Sequence, residues 1–207
     1  VPTAAATGVP RDDEQRREAQ RQADAAGESA LVHLRSGDAF ELPLADSEWG
    51  TFDLAHTRFL LEHVPDPLRV VQGMVRAVRS GGRIILADDD HDILRLHPEP
   101  PGVSTLWEAY MRKYDRGGND PYIGRRLVSL LQQAGATPTR NDWIFFGGCA
   151  GQPVFPLLVS NLIGVVAGAK EAILRWDLFD PNHFDVALSN FARWGERPDA
   201  AIWFAIC

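Results

Sequence analysis

Cysteine is scarce, with two in 207 residues, Cys149 and Cys207. Two cannot build a disulfide framework, and neither stands in a C-x-x-C or similar ligand spacing, so a reducing, cytoplasmic setting is expected. Long hydrophobic runs are missing as well. The most apolar stretch, Val154 to Ala169, is interrupted by Pro156, Ser160, Asn161 and Gly164 and falls short of the ~20 apolar residues of a membrane span. No signal-peptide pattern is visible, and no membrane partner is expected. Positive charge is in deficit: 21 Lys and Arg face 28 Asp and Glu, a net charge of -7. Phosphate backbones need a basic surface, so nucleic acid is not an expected partner and a small molecule is. There is no internal repeat or low-complexity segment. At 45% hydrophobic and 24% charged residues, 1–207 reads as a single domain with one embellishment.

The most informative stretch runs from Ser36 to Asp90. Phe52 to His56 is a short apolar strand. Pro67 to Val78 carries apolar residues at 68, 71, 74, 75 and 78, a helical period; Gly81-Gly82 should end that helix before a second strand, Arg83 to Ala87. Strands joined through a helix are expected to be parallel. Upstream, Ala4 to Val9 reads as a strand, and Asp12-Asp13 open a helix that runs to Gly27. Leu31 to Leu34 follows as a strand. Downstream, Leu94 to Val103 holds Pro98, Pro100 and Pro101 and reads as a connecting loop. Ser104 to Tyr114 and Ile123 to Ala134 are helical. Trp143 to Phe146 and Ala200 to Ile206 should form an antiparallel closing pair around a helical insertion, 153–198. The pattern predicts an α/β fold.

Three motifs in the central stretch carry a family resemblance. They are Gly37-Asp38-Ala39-Phe40-Glu41-Leu42-Pro43; Phe52 to Arg58 followed by Leu61-Glu62-His63-Val64-Pro65-Asp66-Pro67; and Val78-Arg79-Ser80-Gly81-Gly82-Arg83. In this order and spacing the segment resembles the Rossmann-like, S-adenosylmethionine-dependent methyltransferases, close to the ubiquinone/menaquinone biosynthesis type. The resemblance implies a mostly parallel sheet with an antiparallel closing strand and helices on both faces. It also implies S-adenosylmethionine as cofactor and methyl transfer to a small, apolar metabolite, of the kind met in secondary metabolism.

The resemblance assigns roles residue by residue. Asp38 would accept from the adenine amino group, with Ala39 and Phe40 against the ring; an Asx turn is the rival reading. The acidic residue that takes the ribose hydroxyls is replaced by Pro10, leaving Asp12 or Asp13 to substitute, unless both only cap their helix. His56, Thr57 and Arg58 lie at the carboxyl end of a strand, where open α/β sheets bind ligands. His63 would lie near the cofactor and act as general base, against the alternative of a histidine packed at a helix start. Asp88 or Asp90 would face the substrate, with a solvated loop as rival.

Asp88-Asp89-Asp90-His91-Asp92 places four carboxylates around a histidine, yet consecutive residues point different ways and no calcium-loop glycine follows, so no metal is expected. Tyr110, Tyr114 and Tyr122 are candidate pocket-wall aromatics or packing residues. Phe184, Leu188, Phe191 and Trp194 share one helical face, so the insertion is a lid over the acceptor, a core helix, or a homodimer face. The family's first strand and glycine-rich loop are not found upstream of Ala4, and the chain is expected to be incomplete at that side. Two functions follow: methyl transfer, or a methyltransferase-like protein that binds a ligand or catalyses a different reaction.

Overall fold

The computed structural model describes residues 5–207, so Ala4, the first residue of the expected N-terminal strand, lies outside the described residues. The chain divides into two units, each with its own contacts.

The first unit comprises Val1–His56, Leu68–Ile85 and Leu131–Ala136. Strand β1 (Ala6–Gly8) pairs in parallel with β2 (Val32–Leu34), in a register running from Ala6 opposite Val32 to Gly8 opposite Leu34. Helix α1 (Asp13–Ala26) makes the crossover between them. Asp12 starts that helix because its carboxylate accepts the N–H of Gln15 at 2.8 Å, and Gly27 ends it at φ 71°, the left-handed conformation that glycine adopts without strain.

Strand β3 (Phe52–Arg58) is two residues longer than expected, and its final residues, Thr57 and Arg58, belong to the second unit. Helix α2 (Pro67–Ala77) buries Val70, Val71, Met74 and Ala77, the face its periodicity marks. Strand β4 (Val78–Ala87) starts directly after α2, earlier than the expected Arg83, and the expected glycine turn lies within it, with Gly81 at φ 74°. β4 hydrogen-bonds to β3, with Arg79 Nε on Asp53 Oδ1 at 2.7 Å. A Cβ on Gly82 would meet the Asp53 carbonyl oxygen at 2.9 Å. That Cβ would also meet Val78 Cγ1 at 2.4 Å and the Arg79 carbonyl oxygen at 3.0 Å, so Gly82 serves both the turn and the close approach to β3.

The second unit comprises Thr57–Pro67, Leu86–Leu130 and Thr137–Cys207. The stretch expected to be plain loop contains a strand, β5 (Arg95–His97). Its prolines come after the strand and so remove no ladder donor. Helix α3 (Val103–Arg116) follows; the next expected helix divides into a 3-10 turn, Ile123–Arg126, and α4 (Leu127–Gln133). The antiparallel closing pair is present as β6 (Ile144–Phe145) with β9 (Ala205–Ile206). Beside it, β8 (Ala201–Trp203) pairs antiparallel with both β5 and β7 (Gly148–Cys149). The expected continuous, mostly parallel sheet is thus realised among the described residues as separate two- and three-stranded pieces.

The insertion forms α5 (Phe155–Gly168), α6 (Lys170–Arg175) and α7 (Pro181–Gly195). Asp180 caps α7 by accepting from Asn182 N. Phe155, Phe184 and Phe191 are fully buried and pack with Leu106 of α3 into one hydrophobic core. Burial of side chains this size contributes about 1.5–3 kcal/mol each, which makes the insertion part of the second unit's core. No helix among the described residues is long and apolar enough to cross a membrane.

Candidate functional site

In the second unit, the turn after β3 meets the segment after β4. Asp88, fully buried, joins them: one carboxylate oxygen accepts the N–H groups of Leu60 (3.1 Å) and Leu61 (2.8 Å), and the other that of Asp89 (3.2 Å). A buried carboxylate needs such donors. Burial still pushes the Asp88 carboxyl above the usual range, with the Leu61 N–H pulling the other way.

Glu62, only 4% exposed, divides its carboxylate between two histidines: Oε1 lies 3.3 Å from His63 Nε2 and Oε2 lies 2.8 Å from His91 Nε2. Asp89 Oδ2 lies 4.0 Å from the same His91 nitrogen. The backbone of His91 is fixed at both ends, its N–H donating to Pro121 O at 2.9 Å and its carbonyl accepting from Trp107 Nε1 at 2.8 Å. Tyr110 stacks on the imidazole at 5.6 Å and Tyr114 meets it edge-on at 5.0 Å. The two tyrosine hydroxyls are 3.0 Å apart, and burial raises both of their pKa values. The His63 ring lies against Tyr114 at 5.7 Å.

Burial, reinforced by the Glu62 charge, pushes Asp89 up to about 7, with His91 pulling the other way. Glu62 Oε2, Asp89 Oδ1 and His91 Nδ1 are buried without a hydrogen-bond partner; the 2.8 Å approach of Glu62 to His91 is off the line of a ring N–H donor. Glu62, Asp89 and His91 each bring one ligand-type atom within 4.8 Å of the others. The acidic run is therefore no solvated loop: Asp88, Asp90 and His91 are at most 4% exposed. Consecutive side chains do diverge, as expected. Asp88 turns to backbone, Asp90 forms a fork with Arg125 (2.5 and 2.7 Å), and Asp89 and His91 turn to Glu62.

Of the residues picked from sequence, the second unit brings together His63, Asp88, Asp90 and Tyr114, and both aspartates are engaged internally. Tyr122 is half-buried under the Arg125 guanidinium, 4.9 Å from its ring. Thr57 is buried; Arg58 is exposed over the Phe59 ring. Phe191 and Trp194, 1% and 3% exposed, sit in the core, with Trp194 packed on Phe155 at 5.8 Å. Of the three alternatives open for that face, core packing is where they lie. Glu62 was missed. Its signal was an acid inside the apolar turn Phe59-Leu60-Leu61-Glu62-His63-Val64, where a solvated carboxylate has no reason to be.

In the first unit, Asp12 caps α1 and Asp13 pairs with Arg16 at 3.2 Å. Pro10 offers only its carbonyl, which accepts from Gly37 N at 3.2 Å. Asp38 Oδ1 accepts the N–H of Phe40 at 2.8 Å, an Asx turn, and no group among the described residues donates to Oδ2. Ala39 and Phe40 are half-buried; His56 is exposed. A Cβ on Gly37 would meet Pro43 at 2.8 Å, so this turn needs glycine. An exposed carboxylate oxygen beside a half-buried aromatic fits the polar edge and flat face of adenine.

Helix-linked strands followed by an antiparallel closing pair define a Rossmann-like methyltransferase fold, and comparison with solved structures agrees. A candidate methyltransferase from Bacillus halodurans C-125 superposes with a TM-score of 0.56 at 14% identity, over 97% of this chain and 79% of that one. A family model described as "Methyltransferase domain" matches residues 2–86. Demethylmenaquinone methyltransferase from Desulfitobacterium hafniense is 30% identical over 177 residues, 79% of this chain and 63% of the relative. An uncharacterised 37.1 kDa protein of a Streptomyces fradiae transposon is 34% identical over 109 residues, 52% of this chain and 30% of the relative. The chain thus spans less than two thirds of the length of these relatives. Residues 2–86 thus carry a match to a methyltransferase domain, and the chain is similar to methyltransferases in sequence and in fold.

Proposed function

We propose that the chain transfers a methyl group from S-adenosylmethionine to a small, largely apolar metabolite. The observation that carries this reading is the methyltransferase-domain match over residues 2–86, the segment that holds the three motifs. Bound S-adenosylmethionine supplies a methyl group already activated on a sulfonium, so the protein's part is placement and, for a hydroxyl acceptor, proton removal.

On the cofactor side, Asp38 Oδ2 accepts from the adenine amino group while Ala39 and Phe40 wall the ring. Asp12 or Asp13 serves the ribose in place of Pro10, and His56, Thr57 and Arg58 border the cofactor at the strand end. On the acceptor side, His63 takes the proton. Glu62 Oε1 lies 3.3 Å from His63 Nε2, and a carboxylate on that side favours the proton on Nε2, with Nδ1 as the lone-pair atom that a general base needs. Tyr114 backs the ring. Asp88 and Asp90 set the positions of the turns rather than touch the acceptor, since their oxygens are already engaged.

Calorimetric titration of the chain with S-adenosylmethionine and S-adenosylhomocysteine, followed by transfer of labelled methyl to a panel of phenols and quinols, tests the reading. Saturable binding of both nucleosides with label transfer lost in His63→Gln supports it; absence of binding by the folded chain overturns it.

A further inference from the structure

Glu62, Asp89 and His91 leave the interior of the second unit with negative charge that its own residues do not balance. Among the described residues, neither carboxylate has a Lys or Arg partner; their only salt-bridge partners are histidines. Arg125 is committed to Asp90 and Asp92, and the Lys113 ammonium lies over the Tyr114 ring at 4.6 Å. A buried, unpaired carboxylate is strongly unfavourable. Glu62 Oε2 is also a buried lone-pair atom with no donor, directed at His91 Nε2.

We propose that Glu62, Asp89 and His91 bind a divalent transition-metal ion, of the Mn2+, Co2+ or Zn2+ kind. Two bonds of ~2.1 Å at a right angle put their ligand atoms about 3 Å apart. The Glu62 Oε2 to His91 Nε2 separation is 2.8 Å, and Asp89 Oδ2 at 4.0 Å closes the set by a rotation of a side chain that is 17% exposed. One imidazole with two carboxylates suits these ions; Mg2+ and Ca2+ favour oxygen alone. The frame is rigid, because Asp88 holds the Glu62 turn through the Leu60 and Leu61 N–H groups while Pro121 and Trp107 hold the His91 backbone. His91 Nδ1 has no protein partner that would impose a proton on Nε2. Three protein ligands leave coordination positions open for an oxygen-bearing small molecule.

The proposal is independent of the methyl-transfer reading, since binding is measured without cofactor or acceptor. The chelator-stripped chain is titrated with Mn2+, Zn2+ and Mg2+ by calorimetry, with Mn2+ paramagnetic resonance as second readout. One Mn2+ or Zn2+ per chain is expected, bound at least about tenfold tighter than Mg2+. Asp89→Asn and His91→Gln should each weaken binding by about 10–100-fold or more, because even groups behind the ligands have effects of that size. Asp92→Asn, an exposed neighbour, should leave it unchanged. If His91→Gln does not fold, Asp89→Asn decides, its fold checked by circular dichroism. No saturable binding, equal preference for Mg2+, or unchanged binding in Asp89→Asn overturns the proposal.

Discussion

In the first unit the carboxylates of Asp12, Asp38 and Glu48 lie at or near the surface, each in a small hydrogen-bonded turn or cap. Asp12 takes Gln15 N–H, Asp38 takes Phe40 N–H, and Glu48 takes Ala45 N–H together with the Arg35 guanidinium. In the second unit Glu62, Asp88 and Asp90 are 4%, 0% and 2% exposed. The same functional group thus has two physical roles. At the surface it exchanges water for a neighbour at little net gain; inside, its removal strands whatever it was holding. Burial rather than charge count decides which acids matter, and the contrast can be tested at four positions.

The largest effect is expected where no charge is involved. Phe191 is 1% exposed in the second unit's core and packs on Trp194 at 5.7 Å. Phe191→Ala should destabilise that unit by about 3–5 kcal/mol through the cavity it leaves. Denaturant melts measure it. A change below about 1 kcal/mol would show that the insertion is peripheral to the core and return the face to the lid or dimer readings. Next comes Asp88→Ala, which leaves the N–H groups of Leu60, Leu61 and Asp89 without their acceptor. On the order of 2–3 kcal/mol should be lost, since each stranded buried donor is worth about 1 kcal/mol or more. Hydrogen exchange at Leu60 and Leu61 should speed up in that variant; unchanged exchange would mean that the turn stands without Asp88.

The same contrast explains what was legible in the sequence. Caps and turns are local, so Asp12, Gly27 and the Asx turn at Asp38 could be read from a few adjacent residues. The glycine turn at Gly81-Gly82 could be read in the same way, but the start of β4 at Val78 could not, because Asp53, which packs on this segment, is remote in sequence. The Glu62–His91 approach has the same character. Each half looks ordinary alone: an acid beside His63, and an acidic run that composition assigns to solvent. Their meeting is a tertiary event with no periodic signature, and for that reason Glu62 was not legible. Phe191 and Trp194 were legible as a face, but a helical period names a buried side without naming what buries it.

Asp38→Ala separates cofactor binding from folding in the exposed set. The Asx hydrogen bond is local and exposed, so stability should change little. Affinity for S-adenosylhomocysteine should fall by about 1–3 kcal/mol if Oδ2 accepts from adenine. Calorimetry distinguishes the two. Unchanged affinity in a folded variant removes Asp38 from the site and leaves it as a turn residue.

The smallest effect belongs to Glu48. The Arg35 guanidinium, with help from the Ala45 N–H, holds its carboxyl down to about 2 from an ordinary 4.5. A folded-state pKa below the unfolded one means that the stabilisation is fully present above about pH 4.5 and disappears as pH falls through about 2. Both side chains remain partly exposed, 36% for Arg35 and 27% for Glu48, so solvent screens most of this attraction. Thermal melts of the parent and Glu48→Gln across pH 7 to 2 should show a small gap at neutral pH that closes in acid. A gap as large as that of Asp88→Ala, or one that persists at pH 2, would break the division between surface and buried carboxylates.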